Sequence, residues 1–182
     1  MQERYLGDSH DFIKYAFIRH MHKAGGWRVG LNWYLTHPGE VDRADSNDGE
    51  KRHHLKGGKW QSLDAELLEA LRPFEARSRR KIADFERAGI LPAGTGYFRE
   101  PLRSDSRLGW HNRAMDALAG CDLVFLDPDN GLQVKSMTSR TAPKYAMYDE
   151  VLDYFRAGKI VVTIQFARQC DPIAKAHRLR AE

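Results

Sequence analysis

The sequence is poor in cysteine and has no long apolar run. Its 182 residues include only Cys121 and Cys170, too few for a disulfide framework and without the spacing of zinc ligands. No apolar stretch approaches the roughly 18 residues that a membrane-spanning helix needs. The opening residues MQERYLGDSHDF have no signal-peptide core. These absences predict a cytoplasmic protein with reduced thiols and no membrane contact.

The composition is that of a globular chain. Hydrophobic residues make up 42% and charged residues 30%, a balance that favours a folded core over disorder. The length predicts one domain over residues 1–182. A net charge of +4 permits a nucleic-acid partner without specifying one.

Helical and strand patterns alternate along the chain. We predict helices at residues 10–23, 62–71, 78–87, 108–119 and 148–155, and strands at 27–35, 123–126 and 160–164. The last two strands, LVFL and IVVTI, are continuous apolar runs, which is typical of parallel strands covered on both faces. The pattern predicts an α/β fold with a doubly wound, mostly parallel sheet. The C-terminal residues show no further strand, as in a shortened version of such a fold.

The segment LDPDNG follows one of these apolar strands. It contains Asp127, Pro128, Asp129 and Asn130. The Asp127 side chain and the Pro128 carbonyl both accept hydrogen bonds, so together they could hold an amine with its lone pair directed outward. The same residues are also ordinary turn formers beside a glycine. Both interpretations remain open from the sequence.

A second polar motif, GDSHDFIKY, begins the first predicted helix. Asp8 can cap this helix, and Asp11 and Lys14 share one of its faces, where they could form an ion pair. A helix N-terminus beside a lysine is also a natural site for a carboxylate or phosphate. The motif is therefore a candidate ligand site.

These motifs resemble those of a known enzyme family. GDSHDFIKY resembles the Gly-Asn-x-x-Asp-x-x-Lys-His motif of the bacterial adenine-N6 methyltransferase of large-subunit ribosomal RNA, and LDPDNG stands where that family has Asp-Pro-Pro-Tyr. The chain also resembles an uncharacterised family of bacterial proteins with the motifs LGDxxDFxKYA, NWYLT and FLDPDNGL. The resemblance implies a class I methyltransferase fold of the Rossmann-like type and S-adenosylmethionine as cofactor.

The resemblance also implies roles for particular residues. It makes an amine of RNA or DNA the acceptor, with Asp127, Pro128, Asp129 and Asn130 as the catalytic segment and no metal ion required. The cofactor cleft would be lined by two groups of residues, which are Asp8, Asp11 and Lys14 from the first motif, and Asn32, His37 and Gly39 from the first strand and the turn after it.

The sequence departs from this family at two places. The first strand is not followed by a Gly-x-Gly loop, since THPGE contributes only Gly39, and a glycine is what lets a cofactor approach the backbone closely. Asp129 and Asn130 replace Pro-Tyr, so the aromatic ring that would stack on a base is missing. Tyr145 and Tyr148 are the candidates to supply it.

Two other functions remain open. The chain could be a non-catalytic module of the same fold that binds a nucleotide or a partner protein, which the missing glycine loop favours. Alternatively, Asp127 and Asp129 could bind Mg²⁺ in a nuclease. In that case Gln133 stands where a metal nuclease of the PD-(D/E)xK type has its second acidic residue.

Overall fold

A four-stranded parallel sheet forms the centre of the computed structural model, which describes residues 1–42, 50–166 and 171–181. The strands are β1 (Val29–Asn32), β2 (Gly96–Phe98), β3 (Leu123–Leu126) and β4 (Ile160–Thr163). The α-helices are α1 (Ser9–Gly25), α2 (Pro38–Val41), α3 (Lys59–Leu63), α4 (Ala65–Leu71), α5 (Ile82–Arg87), α6 (Arg107–Ala117), α7 (Tyr148–Arg156) and α8 (Pro172–Ala181). The predicted α/β class with a parallel sheet is confirmed, and the arrangement is compatible with a Rossmann-like fold.

The strand order places a crevice beside β1. The order is β2-β1-β3-β4, and every neighbouring pair is parallel. After β1 the chain moves outward to β2, then crosses back to β3 on the other side of β1. The carboxyl ends of β1 and β3 therefore form a topological switch point, which is where open α/β sheets leave room for a ligand.

Apolar side chains cover both faces of the sheet. Leu31, Leu123 and Phe125 pack on one face with buried residues of α1, α4 and α5, and Val124 and Leu126 pack on the other with buried residues of α6 and α7. Neighbouring residues of β3 belong to opposite faces because side chains alternate along a strand. This two-sided burial explains why the β3 sequence is a continuous apolar run.

The helix boundaries partly follow the sequence pattern. Asp8 caps α1 by accepting hydrogen bonds from two backbone N–H groups, and the helix ends at Gly26 with φ of 67°. The predicted helix at 62–71 is instead α3 and α4, because Asp64 ends the first and caps the second. No pattern in the sequence predicts β2, because its three residues are too few for a periodic signal.

The predicted helix at 78–87 is wrong over its first turn. Residues Arg77–Arg79 form a 3-10 turn, and α5 begins only at Ile82. Arg80 is buried, and its guanidinium donates to the carbonyls of Arg4, Phe74 and Glu75. These three bonds hold the segment in a bend that a continuous helix would not allow.

Hydropathy gives no sign of a transmembrane helix: within the described residues, no helix combines the length and the apolar character that crossing a bilayer requires.

Candidate functional site

A cavity of about 500 Å³ lies at the carboxyl edge of the sheet. This volume is within the range of small-molecule sites. Residues from the N-terminal segment, α1, the segment before the 3-10 turn at His53–Lys56 and the loops after β3 and β4 border it, namely Met1, Tyr5, Asp8, His10, Asp11, Lys14, Lys51, Asp127, Pro128, Asp129, Asn130, Lys144 and Phe166. The two motifs singled out in the sequence therefore meet at one place.

Asp127 stands at the switch point itself. It follows β3 directly, and its backbone N–H donates to the carbonyl of Asn32 at 3.0 Å, which extends the pairing with β1 by one residue. Its Oδ1 accepts a hydrogen bond from Nζ of Lys14 at 2.7 Å. Its Oδ2 is buried and has no hydrogen-bond partner among the described residues. A buried oxygen of this kind carries an uncompensated loss of hydration.

Lys14 joins two carboxylates in a buried cluster. Its Nζ lies 2.6 Å from Oδ1 of Asp11 and 2.7 Å from Oδ1 of Asp127. Burial disfavours the ammonium, but the charges of Asp11 and Asp127 outweigh this and raise the pKa of Lys14. The lysine therefore remains charged, and it balances one of its two acidic partners.

Asp11, one of the two acidic partners of Lys14, has an unusual pKa. Burial raises its pKa to about 6, against the opposing charge of Lys14, and the nearby charges of Asp8 and Asp127 also raise it. Its Oδ2 accepts a hydrogen bond from the backbone N–H of Gly7 at 2.8 Å. The cavity wall thus contains a carboxyl group that changes its charge close to neutral pH.

Asp129 does not face water as a turn residue usually does. Its side chain is 9% exposed, and its Oδ1 lies 3.3 Å from the α-amino group of Met1. Its Oδ2 accepts hydrogen bonds from Gln2 at 2.8 Å and from Thr36 at 3.3 Å. Burial opposes ionisation, but the Met1 ammonium and the Gln2 donor lower the pKa of Asp129. Both oxygens are therefore occupied by the protein itself.

The rest of the LDPDNG segment is held by its backbone. Pro128 is buried, and the N–H of Asn130 donates to the carbonyl of Lys144 at 2.8 Å. Gly131 has φ of 87°, and a Cβ there would lie 2.6 Å from Oε1 of Gln165. Gln165 in turn accepts the N–H of Leu132, so the loops after β3 and β4 are tied together.

Three residues expected in a cofactor cleft lie elsewhere. Asn32, His37 and Gly39 are not part of the cavity lining formed by the described residues. Asn32 is fully buried, donates to the hydroxyl of Tyr154 and accepts the N–H of Tyr34, both at 3.3 Å. Tyr34 has φ of 45°, so the Asn32 side chain supports a left-handed residue just beyond the end of β1. His37 and Gly39 are both exposed; His37 directly precedes α2, and Gly39 lies in it.

Sequence reasoning missed several residues of the lining. His10 stands inside GDSHDFIKY, one residue before Asp11, and could have been found from its place in the first turn of α1. Phe166 supplies an aromatic ring that Tyr145 and Tyr148 do not, since neither lines the cavity. Lys51 comes from an irregular segment and Lys144 from the 3-10 turn at Ala142–Lys144, and neither position carries a signal in the sequence. Only the fold brings these residues to the motif.

The site has mixed charge and no evident metal-binding group. Within the described ranges there is no cluster of three or more His, Cys, Asp or Glu side chains that could hold a metal ion. The cavity is bordered by four carboxylates and by four cations, which are three lysines and the α-amino group of Met1. Such a wall suits a ligand that carries charges of both signs.

Comparison with known proteins gives no relative for this chain. No family model matches it, no curated protein matches its sequence, and no solved structure matches its fold.

Proposed function

We propose that the protein is an S-adenosylmethionine-dependent methyltransferase-like enzyme that acts on an amine of a nucleic acid. The observation that carries this proposal is Asp127, a residue that lines the switch-point cavity and whose buried Oδ2 has no hydrogen-bond partner among the described residues. A buried carboxylate oxygen without a donor is matched by a ligand N–H group. An amine that enters the cavity provides that group.

The cavity also fits the cofactor that the sequence motifs imply. S-adenosylmethionine carries an ammonium, a carboxylate and a sulfonium, and when bound it supplies an electrophilic methyl group. Asp8 and Asp11 are suited to border its cationic part. Lys14 uses two of its three N–H donors on Asp11 and Asp127, so the third is available for the carboxylate. Phe166 offers a ring for stacking on adenine.

Positioning is the main task of the residues after β3. Oδ2 of Asp127 accepts one N–H of the substrate amine, and the carbonyl of Pro128 accepts the other, so the nitrogen lone pair faces the cavity. The backbone of Asp127 is fixed by its bond to Asn32, and its Oδ1 is fixed by Lys14. An acceptor held in this way needs little reorganisation before reaction.

A binding module of the same fold is the second candidate. The turn after β1 contributes no glycine to the cavity lining formed by the described residues, and a Cβ at Gly39 would meet open space. A close backbone approach to a cofactor is therefore not built at that turn. In this case the cavity binds its ligand and no group is transferred.

The decisive experiment follows a labelled methyl group from S-adenosylmethionine into mixed RNA and DNA. The variants are Asp127→Asn, which keeps the shape but weakens the acceptor, and Asp116→Asn, which changes an exposed aspartate of α6 as a matched control. We expect incorporation by the wild type and the control, and a loss of about 100-fold in Asp127→Asn. Saturable binding without incorporation supports the module, and Mg²⁺-dependent nicking that both Asp127→Asn and Asp129→Asn abolish supports a nuclease.

A further inference from the structure

A histidine at the rim of the cavity is paired with a fixed carboxylate. Nδ1 of His10 lies 3.2 Å from Oδ2 of Asp8, and both residues line the cavity. The His10 side chain is 37% exposed, and its Nε2 has no partner among the described residues. The ring of Phe166 packs edge-on against the imidazole at 5.4 Å between centroids. One ring nitrogen is thus held, and the other is available.

Asp8 is held rigidly by the start of α1. Its Oδ1 accepts the backbone N–H groups of His10 at 2.8 Å and Asp11 at 3.0 Å, and the residue is 4% exposed. Burial opposes its ionisation, but the His10 hydrogen bond, the charge of Lys14 and the Asp11 N–H together lower the pKa of Asp8. The remaining oxygen is a charged acceptor, which favours the proton of His10 on Nδ1.

We propose that Asp8 and His10 form a proton-accepting dyad for the reaction in this cavity, with Nε2 of His10 as the base and Asp8 as its positioning residue. This inference rests on the proposed function for the amine substrate. The fold does not require the pairing of Asp8 with His10. The cap of α1 uses only Oδ1 of Asp8, whereas Oδ2 contacts His10.

The proton balance follows from the chemistry of an amine. When the amine nitrogen uses its lone pair to bond the methyl carbon, the bond between that carbon and sulfur breaks and its electron pair stays on sulfur. The nitrogen is then cationic and must lose a proton. The N–H bond breaks, its electron pair stays on nitrogen, and the proton passes to Nε2 of His10. Asp8 stabilises the resulting imidazolium through Nδ1.

The surroundings of His10 contain charges of both signs. The charged groups around the cavity that can influence the imidazole come from the N-terminal segment, from α1, from the segment before the 3-10 turn at His53–Lys56, and from the loop after β3, namely the α-amino group of Met1, Asp8, Asp11, Lys14, Lys51, Asp127, Asp129 and Lys144. Asp8 alone of these bonds the imidazole directly. The direct bond makes Asp8 the residue to change.

Two readouts test the dyad. The first is the tautomer of His10, measured by two-dimensional ¹⁵N NMR of the imidazole at pH 8 in the wild type and in Asp8→Asn, where asparagine still caps the helix. The dyad predicts the Nδ1–H tautomer in the wild type and a shift toward Nε2–H in the variant. The second is turnover in His10→Asn, with His20→Asn as the control on the exposed side of α1.

We expect His10→Asn to lower turnover about 100-fold and to leave the affinity for S-adenosylmethionine unchanged. Added imidazole should restore part of the rate in His10→Ala. The Nε2–H tautomer in the wild type, or full turnover in His10→Asn, overturns the dyad while the proposed function stands. The predicted tautomers in a wild type that transfers no methyl group support the Asp8–His10 pairing and overturn the proposed function.

Discussion

Nζ of Lys14 lies 2.7 Å from Oδ1 of Asp127, although 113 residues separate them in the chain. The contact joins the start of α1 to the end of β3. The same nitrogen lies 2.6 Å from Oδ1 of Asp11, so one buried cation serves two buried carboxylates. The cluster therefore ties the first motif of the chain to the sheet.

Removal of the lysine should destabilise the fold strongly. Lys14→Met leaves Asp11 and Asp127 buried without their cation, and breaking a buried pair in this way costs about 3–5 kcal/mol. The control is Lys23→Met, which changes an exposed lysine at the end of the same helix. Urea unfolding measures the difference. A loss below 1 kcal/mol in Lys14→Met would show that the carboxylates are satisfied without the ammonium.

The stability of the protein should depend on pH through Asp11. Its pKa is raised to about 6 in the folded chain, from an ordinary value of 3.8. At pH values between 3.8 and about 6, the folded state therefore binds a proton that the unfolded state does not bind. The contribution of Asp11 to the free energy of unfolding is fully present below pH 3.8 and is lost as the pH rises through 6, by up to about 3 kcal/mol.

The contribution of Asp11 is isolated by measuring the free energy of unfolding of the wild type and of Asp11→Asn at several pH values. The wild type should gain stability relative to the variant between pH 6 and pH 4, whereas Asp116→Asn should follow the wild type. Asp8 and Asp129 have lowered pKa values and contribute in the opposite direction. Their contribution cancels when the free energy of unfolding of Asp11→Asn is subtracted from that of the wild type. Parallel curves for the wild type and Asp11→Asn would contradict the raised pKa of Asp11.

Asn32 should matter for stability and not for ligand binding. Asn32→Ala removes the donor to Tyr154 and the acceptor of the Tyr34 N–H, each in the core, so we expect a loss of about 1–3 kcal/mol. Calorimetric affinity of the folded variant for S-adenosylmethionine should equal that of the wild type. A tenfold weaker affinity for S-adenosylmethionine at unchanged stability would show that Asn32 contributes to the cofactor site.

Gly131 should be required by the loop that carries the site. Gly131→Ala places a Cβ 2.6 Å from Oε1 of Gln165 at a φ of 87°, which an alanine rarely adopts. We expect a loss of about 1–3 kcal/mol from strain and from the displaced Gln165. Gly158→Ala is the control, because its φ of 77° is also positive but a Cβ there meets open space. Equal losses would assign the effect to backbone strain alone.

The strongest sequence patterns predicted the sheet well. LVFL and IVVTI are adjacent parallel strands as predicted, and Asp127 follows the first of them directly. Only LVFL is buried on both faces, because IVVTI forms the half-exposed edge strand β4. The helix that begins within GDSHDFIKY was also predicted, because its N-cap and the glycines at its C-terminal end are local signals. Local signals failed where long-range contacts decide, as at Arg80, whose carbonyl partners include Arg4.

The sequence predicted only part of the site. Asp8, Asp11, Lys14 and the segment from Asp127 to Asn130 meet as expected, because both motifs stand at the ends of regular elements. Asn32 lies outside the cavity lining formed by the described residues, because strand alternation turns it toward Tyr154, on the face of the sheet away from α1. Phe166 was missed because it follows β4 in an irregular segment, where no period fixes its direction.

The most direct test of the account is a calorimetric titration of S-adenosylmethionine into the wild type, Phe166→Ala and Phe17→Ala. Phe166 lines the cavity, whereas Phe17 is an exposed phenylalanine of α1 outside it. We expect saturable binding at one site per chain, weakened by about 1–3 kcal/mol in Phe166→Ala through lost stacking and unchanged in Phe17→Ala. The absence of saturable heat in the wild type at millimolar ligand would contradict the assignment of this cavity to the cofactor.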